Sequence, residues 1–141
     1  MRLVLDAEAV TALLDPAHQG RRRVRRALEA ARRLRRDVVI ATVTLAELYR
    51  GAGRNAALDA LLAREQPDGL LLRDTDRSFA RLVGALLAET GAGSELLADA
   101  HAVAAAVEVG GGVVLTGDVD DLSRLAGPYR TVTIQALQDR R

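Results

Sequence analysis

Short apolar runs alternate with longer amphipathic stretches along this chain, and the alternation predicts its elements. Arg2-Leu-Val-Leu5 reads as a buried strand stopped at Asp6, and Ala7–Leu14 has a helical spread of apolar residues before Pro16 and Gly20 mark a loop. From Gly20 to Arg36 the apolar positions Val24, Ala27, Leu28, Ala31 and Leu34 recur at helical spacing. Val38–Ala41 is a second strand; Thr44 opens a helix to Tyr49, Gly51 and Gly53 interrupt it, and Asn55–Glu65 resumes. Pro67-Asp-Gly69 is a turn and Leu70–Leu72 a third strand. Thr75 is expected to cap a helix reaching Thr90, and Ser94 to start another reaching Val109. Val113–Thr116 is the fourth strand, Asp118–Ala126 a short helix and Arg130–Ile134 the fifth strand. Brief strands alternating with longer helices specify an α/β fold with a parallel sheet covered on both faces. One domain over 1–137 is expected, with 138–141 as a short C-terminal tail.

Composition narrows the chemistry. The chain has 141 residues, 49% hydrophobic, too apolar for a disordered segment. No apolar run approaches the roughly 18 residues of a membrane span and no signal-peptide plan opens the chain, so a cytoplasmic location is expected. Absent cysteine removes disulfides, thiolate catalysis and thiolate zinc sites. All 20 basic residues are arginine, which removes the P-loop and Schiff-base chemistry, both of which need a lysine. Residues 1–73 carry 14 Arg against 9 acids, whereas 74–141 carry 6 Arg against 10 acids. That asymmetry suits an acidic site beside a basic approach surface.

The acids stand at strand ends. Asp6 follows the first strand, where it either caps the next helix or faces a ligand. Thr44-Leu-Ala-Glu47 has the form of a capping box, after the second strand. Asp99 shares a helical stripe with Leu96, Ala100, Val103 and Val107, so it projects from an apolar face and needs an arginine or a cation to compensate it. His101 lies about 200° round the helix from Asp99, which predicts a surface position. His18 sits in a loop with no partner nearby in sequence, and neither histidine is given a role. Asp118, Asp120 and Asp121 follow the fourth strand, more acids than capping requires. Two carboxylates about 4 Å apart repel by roughly 4 kcal/mol at an effective dielectric of 20. A divalent cation relieves such repulsion, and oxygen-only ligands select Mg²⁺ or Mn²⁺ over zinc. Mg²⁺ held by carboxylates with retained waters acts typically on phosphate esters.

Asp6, Glu47, Asp99 and Asp118, in this order, resemble the acidic quartet of the PIN-domain nucleases, especially the VapC-type toxins of type II toxin–antitoxin pairs. The matching segments are Leu3-Val-Leu-Asp6, Thr42-Val-Thr-Leu-Ala-Glu47, Ala98-Asp-Ala-His101 and Val114-Leu-Thr-Gly-Asp118 with Asp121-Leu122. The resemblance implies a three-layer α/β/α sandwich with a parallel five-stranded sheet of order 3-2-1-4-5. It implies a Mg²⁺-dependent endoribonuclease with Asp6, Asp99 and Asp118 on the metal. Thr116 would hydrogen-bond within the site and Asp121 would be an auxiliary acid. A homodimer and a small antitoxin partner are implied as well. One departure is plain: Ala7 and Glu8 stand where the family usually has hydroxyl residues, and Glu8 either adds a fifth acid or points away.

Residues 21–36 hold nine Arg and one acid, Glu29. Arg22, Arg25 and Arg32 lie off the apolar stripe and are candidates for RNA phosphate contacts; the alternative is a solvated helix face. Tyr49, Phe79 and Tyr129 are the only aromatics, so backbone charge and shape suit RNA recognition better than base stacking. The rival readings are a catalytically silent PIN-like binding protein and a DNA nuclease on the same fold.

Overall fold

The computed structural model describes residues 1–138; of the expected tail, 139–141 lie outside the described residues. Its strands are β1 (Arg2–Leu5), β2 (Asp37–Ala41), β3 (Leu70–Arg73), β4 (Gly112–Thr116) and β5 (Val132–Ala136). They form one sheet of order β3-β2-β1-β4-β5, with every pairing parallel. The helices are α1 (Ala7–Leu14), α2 (Arg21–Arg33), α3 (Thr42–Leu48), α4 (Ala52–Glu65), α5 (Arg77–Thr90), α6 (Leu97–Val107) and α7 (Val119–Ala126). None is long and apolar enough to cross a membrane.

Alternate strand residues sort onto two faces, as the pleat requires. Leu3, Leu5, Val38, Ile40 and Leu115 pack beneath α1, α2, α3 and α4. Val4, Val39, Val114 and Val132 pack beneath α5, α6 and α7. Right-handed crossovers explain the division, because β1 to β3 advance one way across the sheet and β4 to β5 the other. The strand order reverses between β1 and β4, and a crevice opens beyond their carboxyl ends.

The same handedness leaves one face of β5 bare. Val132 is buried while Thr133 and Gln135 are exposed, so the sheet is not covered on both sides throughout. Three boundaries also differ from the sequence expectation. Asp76 caps α5 in place of Thr75, its Oδ1 accepting from the Phe79 amide at 2.8 Å. Ser94–Leu96 forms a 3₁₀ turn before α6 begins at Leu97. β5 starts at Val132 because Arg130 and Thr131 are taken up in a turn closed by the Val132 amide on the Tyr129 carbonyl, 3.2 Å. Helix α2 ends at Arg33 with Leu34 as its cap, and Arg35 takes a left-handed conformation, φ 52°.

His101 is buried, contrary to the surface position expected from its angle. Helix α6 is sandwiched between the sheet and the helices α5 and α7, so the side opposite Asp99 is also interior. The His101 Nδ1 lies 2.7 Å from the Leu97 carbonyl, and its ring meets Phe79 edge-on at 5.7 Å.

Gly112 faces Arg2 across the β1–β4 pairing so closely that a Cβ would collide with the Arg2 carbonyl. Gly112→Ala is expected to destabilise the fold by about 1–3 kcal/mol. By contrast, exposed Gly84 in α5 has nothing within 4 Å of its would-be Cβ. Gly84→Ala should stabilise by about 0.5–1 kcal/mol through helix propensity. Urea denaturation of the two variants checks both signs.

Candidate metal centre

The site grows out of capping at the carboxyl ends of β1 and β4. Asp6 caps α1, with Oδ1 accepting from the Ala9 amide at 2.9 Å and Oδ2 from the Gly117 amide at 3.2 Å. The capping and site readings of Asp6 are therefore compatible. Burial pushes its carboxyl above the ordinary range, hydrogen bonds from Thr116, Ala9 and Gly117 pull it back, and the charge of Glu8 raises it again. Thr116 is fully buried, and its Oγ1 accepts from the Asp118 amide at 2.8 Å. Asp118 in turn caps α7, accepting from the Asp121 amide at 3.4 Å. A short chain of bonds thus fixes the relative positions of Asp6, Thr116 and Asp118.

Asp99, in the first turn of α6, points toward these groups. Its carboxyl is pushed up to about 6, chiefly by burial and then by the charges of Asp118, Asp6, Asp121 and Glu47. Among the described residues no arginine pairs with Asp99, so the structural counter-charge is missing. Carboxylate oxygens of Asp99, Asp118 and Asp121 lie within 4.8 Å of one another. Asp121 is raised above the ordinary range, first by its hydrogen bond with Asp118. The structure thus draws Asp121 together with Asp99 and Asp118, and Asp6 acts on Asp99 through its charge. Oxygen-only donors at this spacing fit a hard divalent cation.

Glu47 reaches the site by a different local route than expected. Strand β2 runs straight into α3, with Ala41 extended at φ −70° and ψ 138° and Thr42 already helical. Thr44 is consequently buried inside the helix, and the capping box does not form. Glu47 is left exposed on α3, where its charge acts on Asp99.

The family model of the PIN domain matches residues 3–128. The chain belongs to the PIN domain family. No curated protein matches it. In fold it is similar to a crystal structure of VapBC2 from Rickettsia felis bound to a DNA fragment from their promoter. That similarity has a TM-score of 0.66 at 18% identity and covers 99% of this chain and 100% of the other.

This PIN domain carries side-chain contacts that sequence spacing did not disclose. Glu8 neither points away nor stands alone. Its Oε1 lies 2.6 Å from His18 Nε2, and His18 Nδ1 accepts from the Gly20 amide at 2.9 Å. The Glu8 chain packs over Gly117, and it shares with Asp6, Asp118 and Asp120 the lining of a groove of about 590 Å³. No periodicity links positions 8 and 18; only the loop fold does. Arg32 also differs from expectation. It pairs with Glu65 on α4 and approaches Asp68 at 4.0 Å, so its charge is spent within the protein. Arg22 and Arg25 remain exposed, with no ion pair or hydrogen bond among the described residues.

Asp99 supplies a pH test. Folded Asp99 holds its proton to about 6, against 3.8 ordinarily. Between those values the folded state binds more proton, so metal-free stability is fullest below the lower value and declines as pH rises through the upper one. The shift corresponds to about 3 kcal/mol, and solvent screening at this half-open site reduces it to about 1–2 kcal/mol. Asp99→Asn is therefore expected to raise the metal-free Tm by a few degrees near neutral pH, by less as the pH falls through about 6, and not at all below 3.8. Thermal denaturation in EDTA across this range checks it; a lowered Tm at neutral pH would reveal a counter-charge on Asp99.

Proposed function

We propose that this PIN domain is a Mg²⁺- or Mn²⁺-dependent endoribonuclease, the toxin half of a toxin–antitoxin pair. One observation carries the reading: four acids from three separate elements converge on half-buried Asp99, with which no arginine pairs among the described residues. Asp99, Asp118 and Asp6 would hold the cation, with Asp121 beside them. When bound, it supplies an acidified water and neutralises charge on the attacked phosphoryl group. The chain's own residues set the stage. Thr116 fixes Asp6 and the Asp118 backbone, while exposed Glu47 would meet the incoming substrate and accept a proton.

RNA as substrate is supported by the family resemblance and by the distribution of arginine. Phe79 is buried and Tyr129 donates to Glu89 at 3.0 Å, so few aromatic faces offer themselves to bases. Backbone charge is the remaining handle. The likeness to VapBC2 supports an antitoxin partner, and the resemblance to VapC-type toxins supports a homodimer and a cytoplasmic location.

A second reading is favoured by Ala7, which brings no hydroxyl to the site: a silent PIN-like protein that binds RNA without cutting it. Incubation of RNA with Mg²⁺ separates the two. Cleavage is expected, abolished by EDTA and reduced roughly 100-fold or more by Asp99→Asn. In parallel, a hundredfold excess of Mg²⁺ over its dissociation constant should stabilise the fold by about 2.7 kcal/mol, and Asp99→Asn should shrink that gain. RNA binding that ignores both EDTA and the substitution would establish the silent reading.

A further inference from the structure

Helix α2 covers β1 and β2 but not β4 and β5, leaving a groove of about 840 Å³ on that side of the sheet. Its floor is Leu3, Val113 and Gln135, and its wall is one flank of α2. Arg22, Arg23, Arg26 and Arg36 line it beside Arg2, whose guanidinium is engaged on the opposite face of the sheet, and no acid does among the described residues. In a chain with 19 acids and a net charge of +1, such a segregated surface is a local excess and not an average.

Two of these arginines have structural partners. Arg2 donates to the Ala105 carbonyl and pairs with Glu108, and Arg23 donates to the Ala136 carbonyl at 3.1 Å. Arg22, Arg26 and Arg36 are exposed and have no such partner among the described residues. Arg36 is placed by the end of α2. Its amide bonds the Ala31 carbonyl at 2.8 Å, a turn that requires the left-handed Arg35, where glycine is the usual residue. At its other end the groove adjoins the one lined by Asp6, Glu8, Asp118 and Asp120, since Leu137 and Gln138 line both.

We propose that single-stranded RNA leaves the acidic site along this groove, its phosphates contacted by Arg22, Arg26 and Arg36. The proposal rests on the nuclease reading and adds the course of the strand to it. The bare strand β5 is part of the path, presenting Gln135 beside the arginines. Arg25 and Arg32, on the same helix, lie off the path: neither lines the groove, and Arg32 is paired with Glu65.

The test is binding of an unstructured RNA oligonucleotide in EDTA, followed by fluorescence anisotropy over a range of salt. The triple variant R22A/R26A/R36A is compared with R25A/R33A/R81A, which removes as many exposed charges outside the groove. Each lost phosphate contact on a single strand lowers the log–log salt slope by about 0.7. The groove variant should therefore lose about two from the slope, and the control less than one. Equal losses in both variants, or an unchanged slope in the groove variant, would overturn the proposal. So would a groove variant that keeps its RNA slope but no longer binds polyglutamate, which would make the groove a peptide surface. Cleavage with Mg²⁺ is scored separately on the unaltered protein. Cleavage with no groove effect removes the strand path alone; a groove effect without cleavage removes the nuclease reading alone.

Discussion

Mutual repulsion among carboxylates governs this molecule. Asp6, Asp99, Asp118 and Asp121 are gathered at the adjoining ends of β1 and β4, with no arginine paired to Asp99 among the described residues. Hydrogen bonds and packing hold Asp6, Asp99 and Asp118 there, and the charge of Arg124 eases Asp121. Asp6 is kept by the amides of Ala9 and Gly117, Asp118 by the Thr116 hydroxyl acting on its amide, and Asp99 by a helix buried on nearly every side. Each tether uses backbone that the fold must cap in any case. The arrangement therefore adds electrostatic strain without leaving orphaned helix ends.

Topology produces both the acidic crevice and its basic neighbour. A parallel sheet whose order reverses beside its first strand opens a crevice there, and the crossover rule sends α7 to the opposite face from α2. The face of β4 and β5 beside α2 is then without a helix, and β5 answers with polar Thr133 and Gln135 on that side. Arginines on the exposed flank of α2 overlook the bare strands. Opposite charges thus meet at Leu137 and Gln138, with no element dedicated to joining them.

Much of this was legible in the residues. Strand runs such as Val38–Ala41 are continuous and apolar because both faces are buried, and the helical stripe holding Leu96, Asp99 and Val103 disclosed a carboxylate turned toward the interior. Other features depend on tertiary placement. Helical angle located His101 relative to Asp99, but whether that side meets water depends on α5. The Glu8–His18 contact and the Arg32–Glu65 pair join residues from separate elements at no regular spacing. Thr44 formed a capping box on paper because the sequence does not say where β2 passes into α3. The open face of β5 was written in the Thr133 and Gln135 alternation, yet a parallel sheet implies cover on both sides and masked it.

The raised carboxyl of Asp99 links proton, cation and stability at one atom group. Near neutral pH Asp99 is largely ionised, because its titration lies at about 6. The charge then strains the fold and is ready for a cation with little proton release. In mild acid a proton occupies the same position and relieves the strain. A cation bound there would compete with the proton for one carboxylate whose neighbours Asp6 and Asp118 are restrained by the bonds that cap α1 and α7. A more flexible site would dissipate the repulsion by rotating side chains into water. Here the caps restrain Asp6 and Asp118, so repulsion on Asp99 persists in the metal-free fold.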